Sequence, residues 1–449
     1  MDEKPAVKYK AQAMSPFVKG EVDMIIAENA LAVAGTFEAM EISFTEMNAL
    51  KLADHVITIK ADRGDLVLSK MGNWCQPFYE ALCDAYNKAV LRSLFVKSSP
   101  VIIAKGNYRY TEKNTDGIGA AAINVYENSV VILPPDIGAR RVPLCFVCGI
   151  EKSDLELTLK TDAGETYTYA KLGYEIGPFA SAVEKQIGLL RERSMAAVME
   201  IDPTLTVTQA SQIVKLMPQG AAASFGQLAA IAPSFAEALE KKIAGSRAAE
   251  SYAIFKELCD PMQIYIGFKR NEAIPKVAEG SVEEEGAEAA SPDPYMLWLI
   301  APSPDERFAT VEFAEANTAT FIYHTGGDFD GFAKQLNRAL EAIDFKREVI
   351  RLSDEELRKP ENTDYFMASK RTAALQFVRS NFAGRVIHSS AESWKRKVKE
   401  LWGSSAKAAP AETAPAQPAP PQTGKNYCTK CGTTLAPDMK FCRQCGKKI

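Results

Sequence analysis

The spacing of apolar residues changes period along this chain, and the same change occurs twice. Val56-Ile57-Thr58-Ile59-Lys60 and Leu155-Glu156-Leu157-Thr158-Leu159 combine β-branched content with partial two-residue alternation, the pattern of half-buried strands. Gly64 and Gly164 stand where each strand must turn back, and Leu66-Val67-Leu68 and Thr166-Tyr167-Thr168-Tyr169 supply the returning strands. The period then becomes helical. Past Pro77, Phe78, Ala81, Leu82, Ala85 and Tyr86 share one helical face, as do Phe179, Ala182, Val183, Gln186 and Ile187 past Pro178.

The two stretches are copies. Lys60, Asp62 and Gly64 recur as Lys160, Asp162 and Gly164 at an offset of 100, and Lys70, Gly72, Pro77 and Phe78 recur as Lys171, Gly173, Pro178 and Phe179 at 101. Upstream, Glu28-Asn29 falls on Glu127-Asn128, a pair suited to hairpin turns because Asn tolerates left-handed backbone. A unit of about 100 residues suits a small domain duplicated in tandem rather than a solenoid. The expected fold class is α+β: curled antiparallel sheets at 20–95 and 118–198, each closed by a C-terminal helix. This element order, with its Lys-x-Gly and Pro-Phe helix junction, resembles the pleckstrin-homology-like superfold in its divergent bacterial versions. The resemblance implies binding of peptides, proteins or phosphoinositides, without choosing among them.

Helical periodicity predicts a connector over 202–260. Strand patterns at Gln263–Phe268, Tyr295–Ile300, Phe308–Phe313 and Ala319–Tyr323, followed by a helix at Phe332–Ile343, predict a third unit of the same kind over 261–345. The third unit lacks the shared Lys and Pro. Its acidic interruption at 271–294 is too rich in Glu, Gly, Ala and Pro to repay the entropy of ordering, and reads as a loop. A helical extension over 353–402 contains the basic run Lys395, Arg396, Lys397 and Lys399, expected to be a solvated face. Proline, Ala, Ser and Thr then form a linker over 403–426.

The sharpest chemical signal follows at 427–449. Cys428, Cys431, Cys442 and Cys445 form two C-x-x-C pairs separated by ten residues, so four thiolates can surround one tetrahedral ion. Gly432 and Gly446 permit the tight turns after each pair. So short a segment has almost no core, and metal must supply its folding energy. It resembles the short zinc ribbon at the termini of many bacterial proteins, which implies one structural Zn²⁺. Four thiolates leave no open position for Lewis-acid catalysis.

Other chemistry is sparse. Cys145 and Cys148 make a lone C-x-x-C in a strand-like run and are expected to be buried, with Cys75, Cys83 and Cys259 as small apolar fillers. His55, His324 and His388 sit in no metal-binding or nucleophile motif, and His324 is expected to be an edge residue at the end of a strand. A formal charge of −4 excludes a generally basic nucleic-acid-binding surface. The N-terminus has no apolar segment of signal-peptide character, and no apolar run reaches membrane-spanning length, so a cytoplasmic protein is expected. The resulting expectation is a non-catalytic binding or scaffolding protein with macromolecular partners, chiefly protein. The alternatives are nucleic acid held by the basic ribbon, an anionic membrane surface, and an enzyme with an interdomain site.

Overall fold

The computed structural model describes residues 7–113, 115–270, 295–314, 319–403, 426–427 and 434–435. The first sheet comprises β1 (Lys8–Met14), β2 (Lys19–Ile26), β3 (Ala30–Ala34), β4 (Ala39–Ser43), β5 (Met47–Ala53), β6 (Val56–Ala61) and β7 (Leu66–Ser69). Their spatial order is β4-β3-β2-β1-β7-β6-β5, so β1 pairs with β2 on one side and with β7 on the other and the meander curls on itself. Helix α1 (Cys75–Ser93) closes it by burying Phe78, Leu82, Tyr86 and Val90.

The second sheet repeats this plan with β8 (Ile102–Glu112), β9 (Thr115–Val125), β10 (Ser129–Leu133), β11 (Arg140–Pro143), β12 (Val147–Lys152), β13 (Glu156–Thr161) and β14 (Thr166–Ala170). The order is β11-β10-β9-β8-β14-β13-β12, and α2 (Ile176–Ile201) closes it with Phe179, Val183 and Ile187. Even the irregularity at the start of the fifth strand is copied, between Met47 and Ala49 and between Val147 and Gly149. Both sheets begin earlier than the sequence suggests, at Lys8 rather than 20 and at Ile102 rather than 118.

The repeated Lys-x-Gly junction has a backbone cause. Lys70 and Lys171 have φ of 58° and 55°, and Gly72 and Gly173 have 55° and 59°, so the chain enters the left-handed region twice on leaving the sheet. Glycine meets that demand without a Cβ penalty. Pro77 and Pro178 are the third residues of α1 and α2, where a missing N–H costs no helical hydrogen bond.

After α2 come α3 (Val207–Leu216), α4 (Phe225–Ile231), α5 (Pro233–Ala244) and α6 (Ala249–Leu258). The third sheet is a plain meander of β15 (Ala223–Ser224), β16 (Tyr265–Arg270), β17 (Tyr295–Pro302), β18 (Phe308–Phe313), β19 (Ala319–His324) and β20 (Phe382–Ile387), in that spatial order. Its helices are α7 (Phe329–Ala342), α8 (Asp354–Leu357), α9 (Thr363–Arg371), α10 (Ala373–Ser380) and α11 (Ala391–Gly403). The expected third copy at 261–345 is therefore corrected. Its first and last strands do not pair with each other, and β15 from the connector and β20 from the extension flank the four strands instead. His324 ends β19 but is not on an edge, because β20 covers it.

Two compact units divide at Leu401/Trp402. Within the first, each sheet has its own apolar core, and that of the first repeat includes Tyr126, Val131 and Leu133 of the second together with Met367 of α9. In the second unit, β21 (Asn426–Tyr427) pairs antiparallel with β22 (Thr434–Leu435). The acidic segment 271–294 and the linker residues 404–425 lie outside the described residues.

Candidate binding surfaces

The conserved register of the two repeats places the aspartates of the duplicated hairpin turns at matching contacts with the third sheet's helices. Asp62 accepts from Lys370 of α9 at 2.9 Å, and the same Nζ donates to the Thr45 carbonyl at 3.0 Å. Asp162 accepts from Arg338 of α7, which also donates to Glu165 at 2.8 Å and lies over the Phe146 ring at 4.9 Å. Arg338 is largely buried, and the two carboxylates offset the cost of removing its charge from water. Arg141 of β11 and Glu341 of α7 form a second buried pair at 3.1 Å.

Beyond Asp162 the two repeats differ. In the first, α9 lies along α1, Arg371 donates to the Tyr86 hydroxyl at 2.6 Å, and Met367 is buried. Residues 135–137 also cover the outer edge of β5: the Leu50 N–H donates to the Pro135 carbonyl at 2.7 Å and the Ile137 N–H to that of Asn48 at 3.0 Å. In the second repeat β12 ends its sheet with no neighbouring strand among the described residues. Between the turn at Leu144–Phe146, α2 and α3 lies a cavity of about 770 Å³. Leu144, Phe146, Ile187, Leu190 and Val214 form apolar walls, and Lys215 and Arg191 stand at its rim. An apolar concavity of that size with few polar groups is the usual form of a binding site.

Cys145 and Cys148 both open on this cavity. The expectation that both are buried is corrected: Cys148 is exposed and Cys145 half-buried. Burial, reinforced by the Glu341 charge, holds the Cys145 thiol well above its ordinary range, so it packs as a neutral group. Cys75 is buried as expected, whereas Cys83 and Cys259 are half-buried.

A buried polar cluster fastens α11 to the third sheet, and only its histidine appeared among the candidate groups. Glu312 is fully buried and its Oε1 lies 3.0 Å from His388 Nε2. Thr320 donates to Glu312 Oε2 at 2.6 Å and accepts from the Trp394 indole at 2.8 Å, while Phe255 stacks on Trp394. Lys395 pairs with Glu257 and Arg396 with Glu400, so the basic run of α11 is partly neutralised. The hydrogen bond to Glu312 raises the His388 pKa against the opposing effect of burial, and the Glu312 and Glu250 charges add to it. The protonated imidazole therefore stabilises the fold fully below its unfolded value of about 6.5, and that stabilisation is lost as pH rises through the folded value. In melts between about pH 6 and 9, wild type should exceed His388→Gln most at the acid end and converge toward the alkaline end. A gap independent of pH would contradict this.

The metal-ligand candidates Cys428, Cys431, Cys442 and Cys445 lie outside the described residues. The β21–β22 pairing, with Tyr427 opposite Thr434, brackets the first C-x-x-C in sequence as a ribbon hairpin would. The donor set of four thiolates fits Zn²⁺. Residues 427–449 match the family model of the zinc-ribbon domain. No curated protein matches the chain. No described helix is long and apolar enough to cross a membrane.

Proposed function

We propose that this chain is a non-catalytic binding or scaffolding protein that engages macromolecular partners through its paired curled domains and a C-terminal zinc ribbon. The observation that carries it is the zinc-ribbon match at 427–449, since ribbons of this kind serve as nucleic-acid- or protein-binding modules. Cys428, Cys431, Cys442 and Cys445 would hold one Zn²⁺, which when bound cross-links the ribbon, and their closed coordination suits structure rather than catalysis. The curled sheets, each closed by a helix, support reading the repeats as pleckstrin-homology-like domains used for recognition. A cytoplasmic setting accords with the thiol-rich composition of nine cysteines. A tether such as 404–425 would raise the effective concentration of the ribbon near a partner held by the repeats.

Crosslinked pull-down with the full chain, beside a chain ending at Gly403, tests this. A specific protein partner of the full chain, weakened by truncation, is expected. Absence of any partner for either chain, together with reproducible turnover of a small molecule, would overturn it. Lys425, Lys430, Lys440, Arg443, Lys447 and Lys448 favour nucleic acid as a second reading for the ribbon. That reading requires binding that falls steeply with salt and vanishes in the truncated chain. Pelleting with anionic liposomes separates the membrane alternative.

A further inference from the structure

We propose that the chain self-associates head to tail. The turn between β3 and β4 of one copy docks on the open β12 edge of a second copy, repeating between chains the contact that joins the two repeats within one. This goes beyond the reading of the chain as a binding protein and does not rest on it.

Within the chain, the turn after β10 shows the contact in its filled form. The Pro135 carbonyl accepts from the Leu50 N–H at 2.7 Å, the Ile137 N–H donates to the Asn48 carbonyl at 3.0 Å, and Asp136 bridges to Ala49. The turn thus acts as a short extra strand on β5. Val131, Leu133 and Ala139 beside it are buried and belong to the core of the first repeat.

The same two surfaces recur unfilled. Ile150 lies opposite Leu159 as Leu50 lies opposite Ile59, so the Ile150 N–H points away from its sheet as that of Leu50 does. Nothing among the described residues pairs with β12 on that side. The Ile150 carbonyl is open as well, because Tyr79, whose hydroxyl donates to the Leu50 carbonyl at 3.2 Å, is replaced by Ala180. Along this edge runs a concavity of about 240 Å³ lined by Cys148, Ile150, Glu184, Ile187, Gly188 and Arg191. An edge strand with unpaired main-chain groups is a template for another chain. The complementary surface is the turn at Gly35–Glu38. Phe37, the counterpart of Ile137, is 97% exposed, and Ala34 and Ala39 are exposed where Leu133 and Ala139 are buried. Ile150 and Ile187 offer that phenylalanine apolar contact. Within one chain this turn and the β12 edge do not pair, so a second copy has to bring them together. The contact is heterologous and leaves a turn and an edge open at the two ends, so association grows with concentration until a ring closes. Ala32 and Ala34 stand where the second repeat has Val131 and Leu133, which makes the apolar area smaller than within the chain and the association reversible.

The experiment uses the zinc-loaded full chain in sedimentation velocity between about 1 and 100 µM. Weight-average mass is expected to rise with concentration. Phe37→Asp blocks the turn at an exposed side chain, and Ile150→Pro removes the outward N–H at an edge position that tolerates proline. Each variant alone should be monomeric. An equal mixture should stop at two chains, because one variant supplies an intact edge and the other an intact turn. With a photo-crosslinker at Thr36 and mixed heavy and light chains, crosslinks between copies should map to 147–152 and 184–191, which reads the contact even if Ile150→Pro misfolds. A monomer throughout the range, crosslinks between copies confined elsewhere, or a mixture of the folded variants that stays monomeric would overturn the proposal. So would self-association unchanged in Phe37→Asp, as a symmetric pairing of two β12 edges would show. Capture of a foreign protein is read independently of these outcomes, so the scaffold reading stands or falls separately.

Discussion

Replacing Cys428 and Cys442 with serine is expected to strip zinc from the protein and unfold the ribbon while leaving the melting of the first compact unit unmoved. Four thiolates bind Zn²⁺ with apparent free energies of about 10–16 kcal/mol in zinc-finger peptides, and a segment of this size has little else to fold around. Losing two of the four ligands therefore abolishes the fold of the ribbon rather than loosening it. Residues 1–401 form their own contact unit with separate apolar cores, and no zinc ligand candidate falls within it. Metal analysis should return about one zinc per wild-type chain and none for the double variant. Calorimetry should show the same main transition in both. Iron with thiolate absorption, no metal in wild type, or a lowered main transition in the variant would each contradict the assignment.

The duplication was legible because its markers answer to backbone geometry. Lys70-x-Gly72 and Lys171-x-Gly173 encode consecutive left-handed turns, which few residue types can replace. The first strand of each repeat was not legible. The fully buried residues of β1 are Ala11 and Ala13, which beside a single half-buried Tyr9 are too small to stand out as an apolar face. In β8 and β9, Tyr108 and Tyr110 lie opposite Gly119 and Gly117, and a Cβ at Gly117 would meet the Tyr110 ring at 2.2 Å. Glycine, read locally, signals a break, yet here it makes room for a cross-strand aromatic.

The cavity was harder still to foresee. Its signal lies in the difference between copies: Thr45 and Asn48 become Cys145 and Cys148, and Tyr86 becomes Ile187. The cavity's other wall comes from α3, and in the first repeat the counterpart contacts come from α9, whose Lys370 meets Asp62 across 308 residues of chain. No local pattern carries that information. Likewise the third sheet borrows β20 from beyond four helices, so its four central strands imitated a complete unit when read alone. The ribbon was legible because its ligands are local in sequence and their chemistry is set by residue type.

Phe78→Ala and Phe179→Ala should each destabilise the first compact unit by about 3–5 kcal/mol, the range for truncating a fully buried phenylalanine. Both side chains are 0% exposed at the start of their helices, where Phe78 packs edge-on against Tyr9 and Phe179 against Tyr169. The cavity left at either position adjoins residues fixed by sheet pairing, which limits collapse around it. The two losses should also be felt beyond their own repeats. The core of the first repeat includes Tyr126, Val131 and Leu133 from the second and Met367 from α9, while the Arg338 contacts join the second repeat to α7. With Trp74 and Trp402 replaced by phenylalanine, Trp298 and Trp394, both buried with the third sheet, give a fluorescence signal distant from either mutation. Urea titration should move the tryptophan midpoint downward in both variants, in step with the loss of secondary structure followed by circular dichroism. An unmoved tryptophan transition beside a shifted dichroism transition would mean that the repeats unfold on their own. Unchanged stability in both variants would mean that Phe78 and Phe179 do not hold the helices to their sheets.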